Sequence, residues 1–449
     1  MPTLSRLPHL ASTQIINLDC CSRKNLLDYF NNSWELETTL LRSITHPDAF
    51  YLNPDPLRNR SIFYLGHSAV FYINKLVRVG LLPNPINPQF EILFEVGVDP
   101  ETPDELELAT QHIIWPDVDQ VWEYRENARQ AITEIIENTP LNLPIHAQHP
   151  LWALLMGIEH SRIHFETSSM LLRQLPVEYL RLPSGWNYAP SHGKIPPNQM
   201  QEIPGGLVKL GKKEDDLTFG WDSEYGSLEI VVRPFLASSN LITNGEFLQF
   251  IQAGGYENSE YWHGESWQWK QQNNVQHPKF WLLENSHNYK YRATFDILEL
   301  PVDWPVEVNY YEAMAYCQWQ GTRLMTEPEW NRAWEFSTNN QGDRTEENNY
   351  NLNLKYISPS PVGMFSKRSG LADLRGNVWE WLSSTFSPLP GFTTHYLYED
   401  QSAPFFDGKH QMMVGGSWAT NGTMALPCYR NWFRPYFYQH VGFRTAMSL

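Results

Sequence analysis

The sequence predicts an α+β protein, with a helical bundle in the first ~180 residues and a loop-rich half after it. Three observations carry this. Apolar residues recur at helical spacing through the first part of the chain. A polar, proline-rich stretch, Pro183 to Pro204, breaks that pattern. Beyond it, glycine pairs, short β-like runs and most of the 18 tryptophans replace the helical period. The boundaries read as 1–182 for the bundle, 183–200 for a linker or irregular crossover, and 201–449 for the second domain.

The first helical segment carries Leu26, Leu27, Phe30, Trp34, Leu40 and Leu41. The second carries Ile62, Phe63, Val70, Phe71, Ile73, Leu76 and Val77. The third carries Val121, Trp122, Tyr124, Ala128, Ile132, Ile135 and Ile136, with Asp117 or Asp119 as its N-cap. The fourth carries Leu151, Leu154, Leu155, Ile158, Ile163, Met170 and Leu171, and Pro150 suits its first turn. Four amphipathic segments with connecting loops imply a four-helix bundle. In the second half, Leu228 to Val232 reads as a strand and Tyr310 to Gln320 as the one clear helix. The Asn-rich stretch Asn339 to Asn353 reads as a surface loop.

Composition narrows the function. A hydrophobic share of 42% is that of a globular chain, not a disordered one. The net charge of −17 argues against nucleic acid, which needs a basic patch, and against an anionic membrane surface. No stretch approaches the ~18 apolar residues of a membrane span, and Met1 to Ser22 lacks the basic and apolar blocks of an export signal. Cys20, Cys21, Cys317 and Cys428 are too scattered for a disulfide framework, so a cytoplasmic location is expected.

The chemistry begins at His160-Ser-Arg-Ile-His164-Phe-Glu166 on the fourth segment. Histidines at i and i+4 project from one helix face, so both imidazoles can reach one ion. A bundle site needs at least one more ligand. His67, among the apolar residues of the second segment, and Glu166 are the two candidates, and Glu166 could instead accept from an imidazole N–H and fix its tautomer. The spacing does not choose the metal, since imidazole suits Zn, Fe, Cu and Ni. Ser161 after His160 breaks the H-E-x-x-H pattern of a metalloprotease.

Longer motifs extend this reading. Ile62-Phe-Tyr-Leu-Gly-His67 through Leu76, Phe94-Glu-Val-Gly-Val-Asp99, and His149-Pro-Leu151 through Ser169 resemble the DinB-like helical domain of ovothiol-type sulfoxide synthases (5-histidylcysteine sulfoxide synthases). Ile203-Pro-Gly-Gly206, Phe219-Gly-Trp-Asp222, Thr243-Asn-Gly-Glu-Phe247, Thr326-Glu-Pro-Glu-Trp330, Asp373 to Trp381, Gly415-Gly-Ser-Trp418 and Gly442-Phe-Arg444 resemble the formylglycine-generating-enzyme fold, which is C-type-lectin-like.

The resemblance implies that His67, His160 and His164 hold a non-haem Fe(II), with Glu166 behind them. It implies C–S bond formation, with a cysteine thiol, a histidine imidazole and O2 sharing the three open positions of a six-coordinate ion. It also implies a tyrosine proton donor in the segment Gly391 to Asp400. Tyr398 is the first candidate and Tyr396 the second. Arg125, Trp418 and the run Arg430-Asn431-Trp432-Phe433-Arg434 are candidate substrate contacts, since arginines hold carboxylates by paired hydrogen bonds.

Departures from the family pattern refine the expectation. The chain ends at Leu449 without the methyltransferase domain that ovothiol enzymes commonly carry, so a separate C–S lyase and methyltransferase are expected downstream. Ile163 and Phe433 stand where the ergothioneine branch often has glutamine and an acid, which favours histidine over trimethylhistidine (hercynine), and cysteine over γ-glutamylcysteine. Arg430-Asn431-Trp432 looks ergothioneine-like, and a selenium-using relative shares the same two domains. A formylglycine-type copper oxidase would need two thiolates near Cys428, but Thr423 stands at the partner position. A non-enzymatic binding module would have no need of the three histidines.

Overall fold

The computed structural model describes residues 15–95, 97, 99–285, 288–338, 349–365 and 370–449. Residues 339–348 of the Asn-rich stretch and 1–14 of the N-terminus lie outside these. The chain divides into two compact units. One comprises the residues up to Gly185 with Leu217–Phe219 and Thr294–Asp296, and the other comprises the rest. Among the described residues, no helix is long and apolar enough to cross a membrane.

In the first unit the helices are α1 (Arg23–Leu41), α2 (Ser61–Arg78), α3 (Pro88–Leu93), α4 (Pro103–Thr110), α5 (Val118–Asn138) and α6 (Leu151–Leu172). The four long ones, α1, α2, α5 and α6, pack together as the bundle that the periodicity implies. Caps set their starts. Ser22 and Asn25 exchange side-chain and backbone hydrogen bonds ahead of α1. Asp117 is the N-cap of α5, and its N–H donates to Gln120 Oε1 at 3.3 Å. The short α3 and α4 were not foreseen, although Asn87-Pro88 and Thr102-Pro103 carry a capping side chain followed by proline at the first helical position.

Two glycines fix how closely this unit packs. A Cβ on Gly157 of α6 would lie 2.3 Å from the Tyr72 ring of α2, so only glycine permits this crossing. A Cβ on Gly66 would lie 2.6 Å from the Phe94 ring. Inside the bundle, Glu37 accepts from Ser68 Oγ at 2.8 Å and pairs with Arg125 at 3.0 Å. Tyr29 donates to Glu159 at 2.6 Å. These polar groups are buried and partnered, which is the condition for burying them at all.

The second unit contains β1 (Met200–Ile203), β2 (Gly206–Leu210), β3 (Leu228–Val232), β4 (Phe235–Ser238), α7 (Asn244–Gln252), α8 (Glu265–Gln272), β5 (Trp281–Asn285), β6 (Asn288–Arg292), β7 (Ile297–Glu299), α9 (Tyr310–Gln320), α10 (Glu327–Ser337), β8 (Trp379–Thr385), β9 (Gln411–Val414), β10 (Asn431–Phe433), β11 (Val441–Gly442) and β12 (Ala446–Ser448). The strands form four small sheets, ordered β1-β4-β12, β2-β3, β5-β6-β7 and β10-β9-β8-β11, with β11 parallel to β8. Its core gathers Trp330, Leu382, Phe386 and Met412 with apolar residues of β1 to β4. The expected single helix is one of four. The signal for two more was present: Thr243…Glu246 and Thr326…Glu329 are capping boxes, as is Asn309…Glu312 at the helix that was foreseen.

Residues 186–199 are built into this unit. Trp186 and Ala189 are buried, and the Ala189 N–H donates to Ser358 Oγ at 3.0 Å. Two buried arginines tie distant segments together. Arg430 meets Glu327 with two bonds, at 2.6 and 3.1 Å, and Arg444 meets Glu380 at 3.1 Å.

Candidate metal centre

Helix α2 supplies His67, and α6 supplies His160 and His164 one turn apart. The close α2–α6 crossing at Gly157 brings these faces together. His67 Nε2 lies 3.1 Å from His164 Nε2, which lies 3.1 Å from His160 Nε2. Among the described residues this is the one group of three or more metal-ligating side chains that converge, with ligand atoms within 4.8 Å of one another.

The surroundings orient the rings. His67 Nδ1 meets the Phe94 carbonyl at 2.6 Å. A carbonyl only accepts, so Nδ1 carries the proton and the Nε2 lone pair is left for the centre. Phe63 stacks on His67 at 4.8 Å, and Phe71 on His160 at 3.6 Å and 9°. Burial is the main cause that lowers all three imidazole pKa values, His67 to about 4. Mutual repulsion and the Lys75 charge lower His160 further, and His67 and Arg58 act on His164 in the same sense. All three rings are therefore neutral near pH 7, as metal ligation requires.

The donor set fits an ion. Nitrogens about 2.1 Å from one ion lie roughly 3.0 Å apart at right angles and roughly 3.4 Å apart in a tetrahedron. The two 3.1 Å separations and the 4.8 Å limit on all three place the nitrogens close enough for one ion to reach them together.

The other sequence candidates fall in different places. Glu166 is buried on α6 and outside the imidazole cluster. Arg125 is turned into the bundle, where Glu37, Ser68 Oγ and the Leu65 carbonyl take its guanidinium. Arg430 is likewise taken up by Glu327 and the carbonyls of Ser223 and Ser387. Trp432 stacks on Phe386 at 4.1 Å. Trp418 is fully buried, 4.6 Å from the His440 ring, while Asn431 and Phe433 are half-buried and Arg434 is buried. Tyr396 is 46% exposed. Tyr398 is half-buried, 6.1 Å from the Trp221 ring, and burial, Asp400 and Asp222 all push its hydroxyl pKa upward. Sequence reasoning missed Phe94 and the two stacked phenylalanines as supports. The helical spacing of Phe63 and Phe71 to His67 was the available signal.

The structure is that of a mixed helix–sheet protein in which three histidines converge and could hold a metal ion. Residues 188–449 match the sulfatase-modifying factor enzyme 1-like domain, and the chain belongs to that family. Curated relatives narrow the kinship. A hercynine oxygenase of Mycobacterium tuberculosis is 35% identical over 54% of this chain and 59% of its own length. One from Mycolicibacterium thermoresistibile is 29% identical over 85% of each chain. Ergothioneine biosynthesis protein 1 of Neurospora crassa is 24% identical over 94% of this chain and 58% of its own length. The chain thus spans less than two thirds of two of these three relatives. These names fit the ovothiol/ergothioneine sulfoxide synthase family that the motifs resemble.

Proposed function

We propose that this chain is an Fe(II)- and O2-dependent sulfoxide synthase that joins a cysteine thiol to the imidazole carbon of histidine. The observation that carries the reading is the convergence of three desolvated, neutral imidazoles on one point. In the coupling, the S–H and one ring C–H are lost, an S–C bond forms, one oxygen atom of O2 ends on sulfur and the other leaves as water. Iron, when bound, would supply the electron transfer to O2. The protein's part would be to hold the three imidazole nitrogens together, to exclude water with Phe63 and Phe71, and to position a proton donor. Tyr398 takes that last role in this reading. Its raised pKa keeps the hydroxyl protonated near pH 7, as a donor must be.

A second reading takes hercynine as the imidazole substrate, with cysteine or γ-glutamylcysteine as the thiol. The names of the relatives support it, whereas Phe433 and Ile163 support unmodified histidine. The test is anaerobic Fe(II) loading followed by O2. Each thiol is crossed with each imidazole compound, and products are read by mass spectrometry. A product equal in mass to one pair plus oxygen minus two hydrogens identifies the substrates. No coupled product from any pair would overturn both readings. For Tyr398, exchange to phenylalanine should shift products from coupling toward sulfur oxidation, and an unchanged ratio would remove it from the donor role.

A further inference from the structure

The Tyr398 segment has almost no regular structure. Residues 395–402 are held by two turns, Tyr398 N–H to the His395 carbonyl at 3.1 Å and Gln401 N–H to the Tyr398 carbonyl at 3.3 Å. One side chain bridges both ends of it. Asp222 Oδ1 accepts from Ser402 Oγ at 2.5 Å, and Asp222 Oδ2 accepts from the His395 N–H at 3.4 Å. Tyr398 lies between these anchors, and the ring beside it belongs to Trp221, the neighbour of Asp222.

The base of this clamp is itself fixed. Asp222 opens a short 3-10 turn, Asp222–Glu224, in which the Trp221 N–H donates to Glu224 Oε1 at 2.7 Å. The Lys212 N–H donates to the Glu224 carbonyl at 2.7 Å, and Arg430 donates to the Ser223 carbonyl at 3.0 Å. Asp222, Ser223 and Glu224 are all buried. A carboxylate on a buried turn therefore ties the segment at two points, and charge-assisted bonds are the strong ones.

We propose that Asp222 is a positioning residue for Tyr398: its carboxylate holds residues 395–402 closed so that the phenol is presented in one place. This rests on the assignment of Tyr398 as the donor. Asp222→Asn keeps the shape and removes one of the two acceptor oxygens. Ser402→Ala removes only the hydroxyl arm and serves if Asp222→Asn does not fold. Asp222→Glu is the conservative rescue.

Two readouts separate the outcomes. The first is hydrogen exchange on the iron-free protein, where the amides of 394–402 should exchange about tenfold faster in Asp222→Asn, since its carboxylate takes a bond from each end of the segment. Unchanged exchange overturns the clamp. The second is the coupled-to-oxidised product ratio of the iron-loaded protein. It should fall several-fold in Asp222→Asn, return in Asp222→Glu, and show no further fall when Asp222→Asn is added to Tyr398→Phe. An equal fall in the Tyr398→Phe background would show a general structural effect and overturn the positioning role. If Tyr398→Phe alone leaves the ratio unchanged, the donor assignment fails, while the exchange experiment still decides whether Asp222 closes the loop.

Discussion

The two units share one way of burying charge and differ in one cluster. In the second unit, two buried arginines are neutralised: Arg444 sits on Glu380 and Arg430 on Glu327, each pair joining segments distant in sequence. In the helical unit the Arg125–Glu37 pair follows that rule, but the three imidazoles do not. They face one another without a counter-charge, and burial keeps them neutral. The difference teaches which buried polar groups are matched inside the fold and which could serve a ligand. A satisfied pair closes a structure, whereas three converging neutral imidazole nitrogens form a donor set that an ion can take up.

The comparison can be broken most directly at the histidines. Replacing His67, His160 or His164 with alanine should lower iron affinity by more than the ~10–100-fold that loss of an outer-shell partner costs, and should abolish O2 uptake. Melting of the iron-free protein should be little lowered. Metal analysis with calorimetry checks this, and full stoichiometric iron in any of the three variants would break the contrast.

Next comes the paired charge of the second unit. Arg444→Met leaves the Glu380 charge buried without its counter-ion, with both side chains at most 1% exposed, and should cost about 3–5 kcal/mol in denaturant unfolding. Adding Glu380→Gln should recover part of that loss. A variant as stable as the parent would mean that the pair is not what closes this region.

The smallest effect sharpens the same contrast through pH. Glu312 accepts from the Tyr256 hydroxyl and the Asn309 N–H, and burial pushes its carboxyl up to about 7. The folded state holds this proton more tightly than the unfolded chain, whose carboxyl stays near 4.5. Its contribution to stability is complete below the ordinary carboxylate range and is lost as pH rises through about 7. Glu312→Gln should remove about 2 kcal/mol of that pH dependence between pH 4.5 and 7, measured as the difference in unfolding free energy across the range. An unaltered pH profile would place the titration elsewhere.

Much of this protein could be read from one dimension. Helical period marked the four long helices, because a helix needs only its own residues to form its hydrogen bonds. The i, i+4 spacing put His160 and His164 on one face for the same reason. Capping boxes at Thr243 and Thr326 also announced helices, although the short lengths of α7 and α10 concealed their apolar faces.

Other features were decided in three dimensions. Whether His67 or Glu166 joined the pair depended on the α2–α6 crossing at Gly157, and a crossing distance is not written in either helix alone. The internal partners of Arg125 and Arg430 also lie far off in sequence, at Glu37 and Glu327, and no local spacing reports a contact of that range. Sequence sets what a segment can form by itself, while the packing of segments against each other sets which side chains meet, because burial and close approach are properties of pairs.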